Sequence, residues 1–371
     1  MALESIAPFL PKTFRRLLSP RRYGLDQAKP YMRALVGEQR LVAVDVGAAK
    51  GILPHWQKLD GIALIYQIEP RNSACEELVQ INKLGRHPDL YRVLCAAVAG
   101  SSGPRTLYVS RVDTGTSLFY PDIAAAPDAG AYVSLEYFFP ITEQTIDTQT
   151  LDSLLAGSDE RQVDLIKLDI QGAELEALQG LGAGRLNDLL AVEVEVGLSN
   201  IYKEAGDFHR IQEFMKDGQF ELFDVRVARA HLPAGGSDSY YQTRIFSVYP
   251  NSPTISARAL EFDAVYFRKR SKVLETRDPD KIRRMLACYL AYNFFAEAYS
   301  LVEESEKLRI VSPQLSAQLR ELIVTIHRER EFQPWLADSR FWSFVRRMGM
   351  RVAPRSAPRW CQYMYQNYPS G

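Results

Sequence analysis

The chain has 371 residues, 46% of them hydrophobic, and its 45 Lys and Arg are balanced by 45 Asp and Glu. That length suits two domains, or one domain with a substantial annex, and the balance excludes a global field that would draw nucleic acid. No run of about eighteen apolar residues is present to span a membrane, and the four cysteines, Cys75, Cys95, Cys288 and Cys361, are too scattered to suggest a zinc site or a disulfide framework.

Residues 1–36 read as a basic, partly apolar arm, with no signal-peptide core. A helix from Lys12 to Leu18 would set Arg15 and Arg16 beside an apolar face, either packed on the protein or lying on an anionic membrane surface. A domain over residues 37–271 follows. Leu41 to Val46 is a short apolar run carrying Asp45, with Gly47 directly after it and Gly51 four residues on. The pattern describes a buried parallel strand entering a tight turn. Ligands of open α/β sheets bind outside such strand ends, where the strand order reverses. The three glycines of a dinucleotide fingerprint are not all present.

Ala63 to Glu69 reads as the second strand, ended by Glu69 and Pro70. A carboxylate there, some twenty residues past the glycine turn, is placed to accept both ribose hydroxyls of a nucleoside. A helix should follow from Ser73, with Ser73 as its N-cap. Tyr91 to Val98 reads as a third strand, Arg105 to Arg111 as an alternating strand, and Thr142 to Leu151 as another. Val163 to Ile170, Leu189 to Val196, Phe220 to Ala228 and Phe262 to Arg268 complete the series, the last as a returning antiparallel strand. Strands alternating with helices define an α/β, doubly wound, Rossmann-like sheet. Between residues 228 and 262 runs a long insert with His231, Tyr240 and Tyr241, expected to overhang the ligand end. From residue 272 to 371 the pattern turns helical, with helices at Asp278–Glu306, Ser312–Glu331 and Pro334–Met348. This annex ends in arginines mixed with large apolar residues, among them Arg346, Arg347, Arg351 and Arg355, which would pack on the domain or meet a surface.

Charged residues inside the strands mark the chemistry. Lys167 and Asp169 share one face of the fourth strand, Glu193 and Glu195 one face of the fifth. Strands covered on both faces are ordinarily continuous apolar runs, so charges there must pair or do chemistry. Lys167 and Glu193 read as a structural pair beneath the site, with Lys167 expected to bridge to Glu193 or Glu195. Asp169 and Glu195 lie nearer the ligand end. Glu174 opens the next helix, where a carboxylate also suits the helix dipole. Asp169, Glu174 and Glu195 are the candidate catalytic group, with Asp169 as base. The same three oxygen donors could alternatively hold a divalent cation.

Five stretches resemble the FkbM-type methyltransferases: VDVGAAKG at Asp45, YQIEP at Glu69, LCAAVAG around Ala97, GTSL at Thr116 and Ser117, and VDLIKLDIQGAELEALQG from Val163 to Gly180. The resemblance covers roughly Leu41 to Arg268. It implies a class I methyltransferase fold with the last strand antiparallel and a helical C-terminal annex. It also implies S-adenosylmethionine as cofactor, held by Asp45, Gly47, Ala48, Lys50, Gly51, Glu69, Ala97, Ser117 and Asp169. The expected acceptor is a hydroxyl of a sugar, glycoconjugate or related natural product, met in the cytoplasm, with peripheral membrane contact through the basic ends and a homo-oligomer both compatible. Two departures stand out: Ala49 where the family usually has Asn, and Gln171 where it usually has Glu, which makes position 171 unsuited to act as a base.

Overall fold

The computed structural model describes residues 20–37, 40–48, 51–52, 54–111, 115–122, 139–156, 162–197, 202, 205–230 and 258–331. The strands, in chain order, are β1 (Leu41–Val46), β2 (Ala63–Glu69), β3 (Tyr91–Cys95), β4 (Ala97–Val98), β5 (Gly103–Ser110), β6 (Pro140–Gln149), β7 (Leu165–Leu168), β8 (Ala191–Gly197), β9 (Phe220–Ala230) and β10 (Arg258–Arg268). Seven form the main sheet in the order β3-β2-β1-β7-β8-β10-β9, and a small second sheet runs β4-β6-β5. The pairs β1/β2, β2/β3, β1/β7 and β7/β8 are parallel. Strand β10 is antiparallel to both of its neighbours, as its position as a returning strand suggested.

The order reverses between β1 and β7, so the ends of these two strands open the crevice in which such sheets bind ligands. Both β1 and β2 are buried along their whole length. That burial is why they read as apolar runs rather than as alternating strands.

The helices are α1 (Pro20–Val36), α2 (Asn72–Lys83), α3 (Leu151–Ala156), α4 (Glu174–Gln179), α5 (Ala183–Asp188), α6 (Phe208–Asp217), α7 (Arg270–Glu275), α8 (Pro279–Ala291), α9 (Phe295–Lys307) and α10 (Pro313–Glu331). Alternation along the strands divides the apolar side chains between two cores. Val42, Val44, Ile166, Leu168 and Val194 meet Leu175 and Leu178 of α4 and Ile211 and Met215 of α6. Leu41, Ala43, Ile65, Leu165 and Phe267 meet Met32 and Leu35 of α1, Ile282 and Met285 of α8, Leu301 of α9 and Ile323 of α10. The C-terminal helices and α1 thus cover one face of the sheet and share its core.

Buried polar contacts fasten that layer. Asp164, just before β7, accepts from Val42 N at 2.9 Å and lies 3.7 Å from the Arg284 guanidinium of α8. Lys58 donates to Asn293 Oδ1 at 2.6 Å and to the carbonyls of Leu290 and Ala291, satisfying acceptors that the end of α8 leaves open.

Several boundaries differ from the sequence reading. The expected third strand divides, because Ala96 N turns to bond Glu69 O and Ala97 then pairs with Thr148 of β6 in the second sheet. Helix α2 begins at Asn72 with Arg71 as N-cap and no side-chain cap, rather than at Ser73. The helix expected over 278–306 breaks into α8 and α9 at Asn293, whose φ is +73°. Cys75 and Cys95 form a disulfide with Cα atoms 5.9 Å apart. Parallel pairing sets Cys95 beside Glu69, and the first turn of α2 returns over it, a proximity that the sequence spacing did not suggest. The Lys12–Leu18 helix, the insert with Tyr240 and Tyr241, the Pro334–Met348 helix and the arginine-rich tail lie outside the described residues. No described helix is long and apolar enough to cross a membrane.

Candidate active site

A cleft opens at the carboxyl ends of β1, β2 and β7. Gly47 forms its floor. The Gly47 φ is +88°, and a Cβ there would lie 2.0 Å from the Asp169 carbonyl oxygen. Only glycine lets the β1 turn and the β7 turn pass so closely. Gly47 N and Ala48 N both bond Ile68 O, which ties the turn to β2.

Glu69 and Ala97 stand on one wall, with Arg71 beside them. The Glu69 carboxylate is nearly buried, and its Oε1 accepts from Arg71 Nε at 2.8 Å and from Arg71 N at 3.2 Å. Leu107, Leu118, Ile170 and Ala173 supply an apolar wall. Ser117 lies opposite, its hydroxyl donating to Gln171 O at 2.6 Å while accepting from Phe119 N at 2.9 Å. A buried carboxylate beside an apolar slot suits a nucleoside, whose ribose offers two hydroxyl donors and whose base offers a flat apolar face. The residues present therefore fit S-adenosylmethionine.

Asp169 and Gln171 form the wall on the β7 side. Lys167 Nζ lies 2.8 Å from Asp169 Oδ2. The expected bridge from Lys167 to Glu193 or Glu195 is thus replaced by one to Asp169, although Lys167 and Glu193 are register partners as anticipated. The two-residue spacing keeps Lys167 and Asp169 on one face, and the nearer, more open carboxylate takes the ammonium. Burial disfavours the Lys167 charge, but Asp169, Asp45 and Glu193 together raise its pKa. Burial also works against charge on Asp169. Lys167, with hydrogen bonds from Glu195 and Gln171, outweighs it and holds the carboxyl below its ordinary value. Glu195 moves the other way: burial, then the Asp169 charge, push it well above the usual carboxylate range.

The structure separates the expected site residues into three groups. Gly47, Glu69, Ala97, Ser117 and Asp169 line the cleft. Asp45, Ala48, Gly51, Glu174 and Glu195 do not. Asp45 lies beneath the floor, 2% exposed, with its Oδ1 unpartnered among the described residues. Burial raises its pKa to about 7 against the lowering effect of Lys167. Glu174 accepts from Ile170 N at 2.8 Å and Gly172 N at 2.9 Å. It props the turn after β7, the helix-start role that competed with catalysis in the sequence, and burial lifts it to about 7. Lys50 and Ala49 lie outside the described residues. No cluster of three or more acids, histidines or cysteines able to hold a metal occurs among the described residues.

Sequence reasoning missed Arg71, Gln171 as a cleft residue, and Tyr202, whose hydroxyl donates to Gln171 Oε1 at 3.0 Å. Arg71 follows Glu69 by two residues, a signal that was legible. Tyr202 had none, because the contact depends on a turn thirty residues away.

The strand order with its antiparallel last strands, and a cleft at the switch point, define a Rossmann-like class I methyltransferase fold. Residues 45–222 match the family model described as "Methyltransferase FkbM domain". Among solved structures, the methyltransferase FkbM from Methylobacillus flagellatus KT aligns over 62% of this chain and 45% of its own, with 14% identity and a TM-score of 0.33. The chain thus spans less than half the length of that relative. Magnesium protoporphyrin IX methyltransferase from Synechocystis PCC 6803 with bound SAM aligns over 66% and 78%, with 10% identity and a TM-score of 0.32. No curated protein matches the chain.

Proposed function

We propose that the protein is an S-adenosylmethionine-dependent methyltransferase that methylates a hydroxyl of a sugar, glycoconjugate or related natural product. The observation that carries this reading is a single cleft in which Glu69 and the Gly47 floor face Asp169. The Asp169 side chain is 34% exposed, and so is open to a second molecule.

When bound, the cofactor supplies a methyl group already activated on a sulfonium. The chain's task is then largely positioning. Glu69 would accept from the ribose hydroxyls, with Arg71 fixing the carboxylate's plane. Asp169 would accept a hydrogen bond from the acceptor hydroxyl and hold it in line. An aspartate kept ionised by Lys167 is a modest proton acceptor at neutral pH. Its first role is therefore orientation, with uptake of the proton as transfer proceeds. Glu195, whose pKa burial and the Asp169 charge push up, lies beside it.

The test is calorimetric titration with S-adenosylhomocysteine and with NAD, followed by incubation of labelled S-adenosylmethionine with fractionated glycans. Binding of the homocysteine nucleoside and label in a neutral glycan fraction support the proposal. Binding of NAD alone would replace it with a nicotinamide-dependent oxidoreductase, and binding of neither with a non-catalytic scaffold.

A further inference from the structure

Gln171 occupies a left-handed backbone conformation, φ +54°, in the turn between β7 and α4. Its polar atoms are committed in four directions. The side-chain amide donates to Glu195 Oε2 at 2.7 Å and to Asp169 Oδ1 at 3.3 Å. Its Oε1 accepts from the Tyr202 hydroxyl at 3.0 Å, and its carbonyl from Ser117 Oγ at 2.6 Å. The Tyr202 hydroxyl also lies 3.3 Å from Gly115 O.

Two donors and one acceptor on a single flat group are what this place needs, and an amide has them. A carboxylate in the same position would offer no donor to either acid. It would also place a further negative charge beside the two acids. A neutral apolar residue would leave Asp169 Oδ1 and Glu195 Oε2 without this donor.

We infer that Gln171 is a positioning residue, which fixes the direction of the Asp169 carboxylate in the cleft and ties it to Glu195 through one amide. The inference rests on the reading of the cleft as a methyl-transfer site. It assigns Gln171 no contact with the reacting atoms; the residue acts through Asp169. The titration of this pair depends on more than Gln171. Buried Lys167 on β7 interacts with Asp169, with Asp45 of β1 beneath the cleft floor and with Glu193 of β8. Glu261 of β10 adds negative charge facing Glu195, and Asp263 feels the charges of Glu193 and Asp169. Arg226 of β9 lies 3.7 Å from Glu193, and Glu174 of α4 adds charge near Glu195.

The test is a carbon-13 carboxyl NMR titration of the full chain without cofactor, with resonances assigned through Asp169→Asn and Glu195→Gln. In the wild type the two groups should titrate as a pair with well-separated midpoints. Gln171→Glu should raise the upper midpoint by about one pH unit. Gln171→Met, similar in length but without donors, should raise the Asp169 midpoint. Tyr202→Phe, which releases Gln171 Oε1 while leaving the turn's residues unchanged, should move it the same way by less, and keeps the test open should the Gln171 variants fold poorly. Midpoints in all the folded variants that overlay the wild type, whatever their melting temperatures, would overturn the inference. Calorimetry with S-adenosylhomocysteine is run separately on the wild type. Absence of binding there would remove the methyltransferase reading without altering the titration result.

Discussion

The Tyr292 hydroxyl, carried just past the end of α8, donates a 2.6 Å hydrogen bond to Glu193 Oε2 in the middle of β8. It also accepts from Trp56 Nε1 at 3.0 Å. The helical layer therefore supplies a partner of a carboxylate that is 1% exposed and lies next to Lys167 in register. Tyr292→Phe should lower the unfolding free energy by roughly 1–3 kcal/mol, the cost of a buried charged acceptor losing its donor. Urea denaturation of the two proteins checks this, and equal midpoints would show that the bond contributes nothing net.

Glu69→Ala removes the carboxylate expected to receive the ribose. Charged acceptors of this kind contribute roughly 1.5–3 kcal/mol, so affinity for S-adenosylhomocysteine should fall by about one to two decades. Arg71→Ala, which frees Glu69 Oε1 without removing it, should cost less. Titration calorimetry ranks the two, and unchanged affinity in Glu69→Ala places the ribose elsewhere.

Gly47→Ala forces a Cβ into the Asp169 carbonyl at a positive φ. We expect a loss of roughly 2–4 kcal/mol in stability, with cofactor-product binding abolished. Gly184→Ala is the control: a Cβ there meets nothing within 4 Å, and in helix α5 it should be neutral or stabilising by about 0.5–1 kcal/mol. Thermal melts that place Gly47→Ala level with Gly184→Ala would contradict the close approach.

Asp45 has a folded pKa raised to about 7 by burial, against an ordinary carboxylate value near 4. The folded state thus binds more protons than the unfolded state between these values, so this group's contribution falls as pH rises from about 4 to about 7. Asp45→Asn removes that dependence. The variant should gain in melting temperature relative to wild type as pH goes from 4.5 to 8, by a few degrees across the window. A constant difference at all pH values would show that Asp45 titrates normally.

Asp169→Asn keeps the shape of the residue but loses its charge, together with the Lys167 ion pair. Turnover on an identified acceptor should drop by roughly 10²–10⁴-fold, while affinity for S-adenosylhomocysteine changes little. Single-turnover kinetics with labelled cofactor separate the two effects, and full turnover in the variant would mean that transfer needs no carboxylate at this position.

The main sheet was legible because burial on both faces writes itself as uninterrupted apolar residues, and Gly47 could be read because its partner strand end was implied by the fold class. What failed to show was anything decided by neighbours. The run from Tyr91 to Val98 declares that it is buried, but not that Ala97 leaves β2 to join β6. Asn293 breaks a helix that contains neither glycine nor proline at the break, since the left-handed turn costs asparagine little. Spacing put Asp169 and Lys167 on one face but could not say that they would choose each other over Glu193. Asp45, Glu174 and Glu195 were read toward the same end of the sheet, yet which carboxylate opens into the cleft depends on the path of the turn after β7, and that path is set by Gln171 and Gly172 at positive φ.

Helix α1 is among the first described elements of the chain, and its core partners in α10 come about 280 residues later. At roughly ten residues per second of synthesis, on the order of half a minute separates the two. Until α8 is made, the face of β1 and β2 that carries Leu41, Ala43 and Ile65 has no helical cover from the C-terminal side. The nascent protein therefore presents a sticky half-built sheet to the cell, and its yield in any host should depend on chaperone supply and growth temperature more than on the stability of the finished fold. Shortening the gene after β10 would make that transient exposure permanent.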